Sequence, residues 1–153
     1  MYRKILGACL AVSLLAACSS SDKSSSASSG AGSANMATRD PLAAGNADKI
    51  YFDYDQAVLR DDARATLDNQ AAWLNQNKTV NVQIAGDCDE RGTEEYNIAL
   101  GSRRAYAAET YLGAKGIAAS RISTISYGKD RPIAPGSTEE AWAQNRNAIT
   151  SIR

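Results

Sequence analysis

Apolar and polar positions change period along the chain, and the changes mark its elements. Ile50, Tyr51 and Phe52 form a short apolar run that predicts a strand. Leu59, Ala63, Leu67, Ala71 and Leu74 recur at helical spacing behind Asp61-Asp62, which predicts a helix with carboxylates at its positive end. Val80, Val82 and Ile84 alternate with Asn81 and Gln83, the period of a half-buried strand. A longer helical pattern spans roughly 93–115, with Thr93 suited to the N-cap and Gly116 to the stop before apolar Ile117. Ile122 to Tyr127 predicts a third strand, broken off by Gly128 and Pro132. A helix over about 138–147 and a strand over about 148–152 complete the order. The alternation predicts an α/β (α+β) two-layer sandwich, with helices covering one face of a sheet.

The pattern ahead of this domain is different. Arg3-Lys4 precedes an apolar run from Ile5 to Ala17, about 13 residues long. A bilayer's hydrocarbon core needs about 20 apolar residues to cross. Residues 1–17 are therefore expected to be a cleaved secretory signal. Leu15-Ala16-Ala17-Cys18 resembles the lipobox of bacterial lipoproteins, which implies a covalent lipid on Cys18; the alternative is a plain signal cut near Ala17. Ser19 rather than Asp follows the Cys, so the resemblance implies outer-membrane sorting, with acyl chains in the lipid and the domain in the periplasm. Residues 18–47 are rich in Ser, Ala and Gly and too poor in apolar side chains to offset their conformational entropy, which predicts a tether. Fully stretched, its residues 19–46 would reach about 90 Å at about 3.3 Å per residue. The folded domain is expected over 48–153.

Composition then removes function classes. The 17 basic and 17 acidic side chains balance, where a nucleic-acid binder would carry a basic surplus. Loss of Arg3 and Lys4 with the leader leaves 15 basic against 17 acidic side chains, about −2 on formal count. With no histidine, no Ser-His-Asp or Cys-His nucleophile and no His-containing zinc site can form. Of three cysteines, Cys9 leaves with the leader, Cys18 takes lipid, and Cys88 stands alone.

Charge concentrates at one predicted strand-to-helix turn, Gly86-Asp87-Cys88-Asp89-Glu90-Arg91-Gly92-Thr93. On the helix that follows, Asn97, Leu100, Arg104, Ala107 and Tyr111 share a stripe, so Arg104 interrupts a largely apolar face and needs a partner. Two arrangements fit: an internal salt bridge from Asp89 to Arg104, or separated acid and base that hold a zwitterion. Asp87-x-Asp89-x-Arg91 is a poor calcium loop, because Arg91 and Ile98 stand where oxygen ligands belong. Glu90 and Glu94 make a poor glycosidase pair, and Cys88 has no base to activate it, so no catalytic residue, metal or further cofactor is expected. Trp73, Trp142 and Tyr111 are read as core or rim packing.

Taken together, Tyr51 to Asp55, Asp89 to Asn97, Leu100 to Ala105, Ser126 to Pro132 and Asn145-Arg146 resemble the OmpA-like peptidoglycan-binding domain family. The resemblance covers about 100 residues. It implies a β/α/β/α/β domain with helices on one face of a mixed sheet, which binds the diaminopimelate of peptidoglycan stem peptides without enzymatic activity. On the family's motif, Asp89 and Arg104 match the principal acid and base, Arg91 and Asp55 the supporting charges, and Tyr54, Asn97 and Leu100 neighbouring positions. It further implies a tether between outer membrane and cell wall, and partnership with the Tol system, notably periplasmic TolB on an overlapping face. The alternative is a structural envelope lipoprotein that meets protein partners without wall affinity. Two positions depart from the pattern. Asp87 adds a charge that would either favour the ligand's ammonium or compete for Arg104, and Asn147 stands where a second arginine is usual.

Overall fold

The computed structural model describes Leu42 and residues 47–153; the expected leader, Cys18 and most of the expected tether lie outside the described residues. The elements follow the order β1 (Lys49–Tyr51), α1 (Asp61–Gln76), β2 (Val82–Asp87), α2 (Glu94–Ala114), a single 3₁₀ turn (Ala119–Arg121), β3 (Ile122–Gly128), α3 (Glu139–Asn145) and β4 (Asn147–Ile152). The four strands form one mixed sheet in the order β1-β4-β2-β3. β2 and β3 run parallel, joined by α2 as a crossover, while β4 pairs antiparallel with both β1 and β2.

The apolar periodicities end up on one side of this sheet. Ala63, Leu67, Ala71 and Leu74 of α1 and Ala105, Ala108 and Leu112 of α2 pack with Ile50, Val82, Ile84 and Ala148 of the strands. Leu42 joins the same core. Each expected strand and helix is present, with shifts at the ends. β2 begins at Val82 and runs on through Gly86 and Asp87, residues that read as a turn because strict alternation stops at Ile84. The buried stripe of α2 runs through Ala105, Ala108 and Leu112, leaving Ala107 and Tyr111 at its edge. Thr93 caps α2 by accepting the Tyr96 N–H at 3.2 Å, an interaction that contributes about 1 kcal/mol.

Two glycines bring α2 down onto the sheet. A Cβ on Gly86 would land on the Gly101 carbonyl, and one on Gly101 would lie 2.7 Å from the Gly86 oxygen. Helix backbone and strand backbone therefore touch. This contact fixes the depth of the helical turn that carries Arg104.

Candidate functional site

The end of β2, the first turns of α2, the β1–α1 connection and α3 converge on one charged region. Arg104 lies beneath it with 0% of its surface exposed. Its Nε donates to the Gln56 carbonyl at 2.8 Å, Nη1 to the Asp87 carbonyl at 2.8 Å and Nη2 to the Asp53 carbonyl at 3.3 Å. The guanidinium also stacks 5.2 Å from the centre of the Phe52 ring. No carboxylate among the described residues lies within ion-pair distance of it. Burial holds its pKa below the ordinary arginine value and outweighs the attraction of the Asp89 and Asp55 charges, which lie beyond ion-pair distance.

The direct Asp89–Arg104 bridge is not formed. Asp89 instead pairs with Arg91 at 2.6 Å and with Arg146 at 3.3 Å, and it also accepts the Arg91 main-chain N–H at 3.1 Å. With the Arg91 Nε at 3.2 Å, these contacts occupy about the four positions at which a carboxylate can accept. Burial alone would raise the Asp89 pKa, but the hydrogen bonds from Arg91 and then Arg146 outweigh it and hold the carboxyl below its ordinary value. Glu139 completes the network, 2.8 Å from Arg146 and 3.7 Å from Arg91. The Arg91 guanidinium is sandwiched between Tyr54 and Trp142, 4.1 Å from each ring centre, and the Trp142 indole N–H donates to Glu90 at 3.0 Å.

Between Arg104 and this network lies a pocket of about 140 Å³. Every residue expected at the site lines it: Tyr54, Asp55, Asp89, Arg91, Asn97, Leu100 and Arg104. Asp55 adopts φ 57°, in the left-handed region uncommon for a side chain other than Gly or Asn, and its carboxylate accepts the Tyr96 hydroxyl. Asn97 donates to the Arg91 carbonyl at 2.9 Å and so ties the turn to α2. Leu100 supplies an apolar wall. Cys88 also lines the pocket; its thiol donates to the Asn97 carbonyl, and burial, followed by the nearby Asp89 and Asp87 charges and opposed by Arg104, pushes its pKa up to about 11.

Several members of this region were not among the expected site residues. Trp142 was read as packing, and Arg146, although part of a recognised motif, bridges 57 residues back to Asp89. Tyr96, inside the Asp89 to Asn97 stretch, carries no charge to mark it as the partner of Asp55, and Glu139 lies outside the motifs. The Asp87 carboxylate does not compete for Arg104. It turns to Arg131 at 3.0 Å, leaving Oδ1 unpaired, and only the main-chain carbonyl of Asp87 meets Arg104. Burial raises the Asp87 pKa, against the hydrogen bond from Arg131. Asn147 is spent on structure: its amide donates to the Gln144 and Asn145 carbonyls at 2.9 and 3.2 Å, at the end of α3. Among the described residues, no group of three His, Cys, Asp or Glu side chains could hold a metal, and no helix is long and apolar enough to cross a membrane.

Residues 51–146 match the model of the OmpA family. A peptidoglycan-associated lipoprotein of Mesorhizobium japonicum is 43% identical over 97% of this chain and 90% of its own length. Another, from Pasteurella multocida, is 41% identical over 95% of both chains. The crystal structure of the peptidoglycan-associated lipoprotein from Burkholderia pseudomallei superposes with a TM-score of 0.67 at 38% identity, covering 69% of this chain and 90% of that one. The C-terminal domain of Helicobacter pylori MotB, at 22% identity and a TM-score of 0.64, shares the fold.

Proposed function

Since the chain belongs to the OmpA family and aligns over nearly its whole length with peptidoglycan-associated lipoproteins, we propose that its domain binds peptidoglycan through the diaminopimelate of a stem peptide. The chain is a homologue of non-enzymatic lipoproteins, so the function is a hold rather than a turnover. The observation that carries the reading is the unneutralised charge of Arg104. Removing a guanidinium from water costs several kcal/mol, which carbonyl dipoles offset only in part. A carboxylate delivered into the pocket supplies the missing anion, with a geometry that the planar guanidinium can meet at two points.

A free end of diaminopimelate carries an ammonium on the same carbon as that carboxylate. Asp55, at the rim, is one acceptor for it. Asp89 is the other, through an exchange: Arg91 turns from Asp89 to the ligand carboxylate and vacates acceptor positions that the ammonium then fills. One cation replaces another at Asp89, so the network keeps its charge balance. Tyr54 and Leu100 flank the methylene chain, and Asn97 holds the turn in place.

With lipid on Cys18, such a domain would pin the outer membrane to the cell wall. The reading extends to the Tol system, where TolB on an overlapping face would exclude the wall. Sedimentation with purified peptidoglycan tests it. The native domain should pellet, free diaminopimelate and TolB should each release it, and Asp89→Ala and Arg104→Ala should stay in solution while still melting cooperatively. If both folded variants pelleted like the native domain, the assignment of the site would be wrong.

A further inference from the structure

A second cavity, of about 230 Å³, lies on the other side of the β2–α2 turn, and Cys88 lines both it and the pocket above Arg104. We infer that this second cavity is a subsite for the stem residue that follows diaminopimelate, with Lys129 as the cation for that residue's terminal carboxylate. The inference rests on the diaminopimelate reading and extends it to a longer ligand.

Three observations support it. Lys129 reaches the turn from the end of β3, and its ammonium donates to the Gly92 carbonyl at 2.8 Å and the Glu90 carbonyl at 3.4 Å. Among the described residues it has no carboxylate within ion-pair distance, and its ammonium stays open to solvent and to an arriving anion. The opposite wall is built by Asn145 of α3. Its side-chain oxygen accepts the Ile133 and Ala134 N–H groups at 2.8 and 2.9 Å, while its amide donates to the Ala134 carbonyl at 2.8 Å. Three bonds from one buried side chain fix the loop that lines the cavity with Pro132 and Ala134. The space is therefore small and lightly apolar, suited to a methyl-sized side chain.

The electrostatics of the shared wall agree. The Cys88 thiol, pushed to about 11, stays neutral and presents no charge to an arriving carboxylate. Glu90, at the rim, keeps its negative charge, its carboxyl held low by hydrogen bonds from Ser137 and the Trp142 indole, so the carboxylate of the stem residue has to sit on the Lys129 side of the cavity. Diaminopimelate suits the two-pocket arrangement because three methylenes separate its two amino-acid centres. With the free end above Arg104, the in-chain centre lies at the turn, and the next residue begins about 3.8 Å beyond it.

The test compares a diaminopimelate-containing tetrapeptide ending in alanine with the same peptide as its C-terminal carboxamide, both titrated calorimetrically into the protein. The native protein should favour the acid by roughly fivefold, the upper end for a partly exposed ion pair. Lys129→Gln should bind both peptides equally, and Lys129→Arg should keep the preference. A purely structural role for Lys129 would weaken acid and amide together and leave their ratio intact. Equal binding of acid and amide by the native protein, or a preserved ratio in Lys129→Gln, would overturn the subsite while leaving the diaminopimelate reading standing. Failure of both peptides to bind would take down the subsite and the diaminopimelate reading together.

Discussion

Two arginines at opposite ends of the helical layer make the same number of bonds to main-chain carbonyls and do different things. Arg121, beside the start of β3, donates to Val80 at 2.8 Å, Leu74 at 3.1 Å and Asn77 at 2.8 Å, gathering the end of α1. Arg104 donates to Gln56, Asp87 and Asp53 beneath the charged pocket. Water still reaches part of Arg121 and none of Arg104. A half-exposed charge on carbonyls at a helix C-terminus is adequately compensated by solvent and by the helix dipole. A sealed one is not. Hydrogen-bond inventory thus does not distinguish the two arginines, and charge compensation does.

The strongest challenge to that contrast is Arg104→Ala. It leaves the Asp87 carbonyl buried without its donor, frees those of Gln56 and Asp53, and empties the space of a fully buried side chain, which should cost about 3 kcal/mol or more in urea melts, with wall binding abolished. Arg104→Lys keeps a charge without the planar fork; it should recover much of the stability while binding the wall at least about tenfold more weakly. Native-level binding by the lysine variant would show that charge alone suffices. Gly86→Ala comes next. It drives a methyl into the Gly101 carbonyl, lifts α2, and should cost about 2–3 kcal/mol together with a loss of wall affinity. Arg121→Ala should cost about 1–2 kcal/mol and leave sedimentation with peptidoglycan unchanged. Were it to lose binding as well, the two arginines would not be distinct in kind.

The smallest effect concerns pH. The raised Asp87 carboxyl holds its proton in the folded chain at pH values where the unfolded chain has lost it. Stability therefore declines as pH rises from the ordinary carboxylate range through the raised folded pKa. Asp89, held below its ordinary value, acts oppositely and withdraws stability as pH falls. Asp87→Asn should abolish the first component and leave the acid-side loss, a change below about 1 kcal/mol in urea melts from about pH 4 to about pH 7.

Much of the fold was legible because apolar spacing reports burial directly. Leu67, Ala71 and Leu74 announce a helix face, and Thr93 and Gly116 announce its neighbour's ends. The limits of β2 were not, since Gly86 and Asp87 are buried by α2 and by Arg131, contacts made only after the chain closes. The seven expected pocket residues were legible through a resemblance; composition and periodicity alone marked Arg104 as anomalous without naming its partner. Its partners are carbonyls of Asp53, Gln56 and Asp87, and a carbonyl has no letter in a sequence. Trp142 and Arg146 stayed hidden for a related reason: their meaning depends on α3 returning to the β2–α2 turn.

The Tyr54–Asp55 segment lies between two carbonyls, Asp53 and Gln56, that are both tied to Arg104. Asp55 is further pinned by Tyr96 in a backbone conformation that costs on the order of 1 kcal/mol. The segment is thus braced at both ends by the guanidinium and in its middle by α2, so this wall of the pocket is shaped before any ligand arrives. A wall held ready in this way spares a ligand the ordering of about three residues that a loose loop would have to fix on binding.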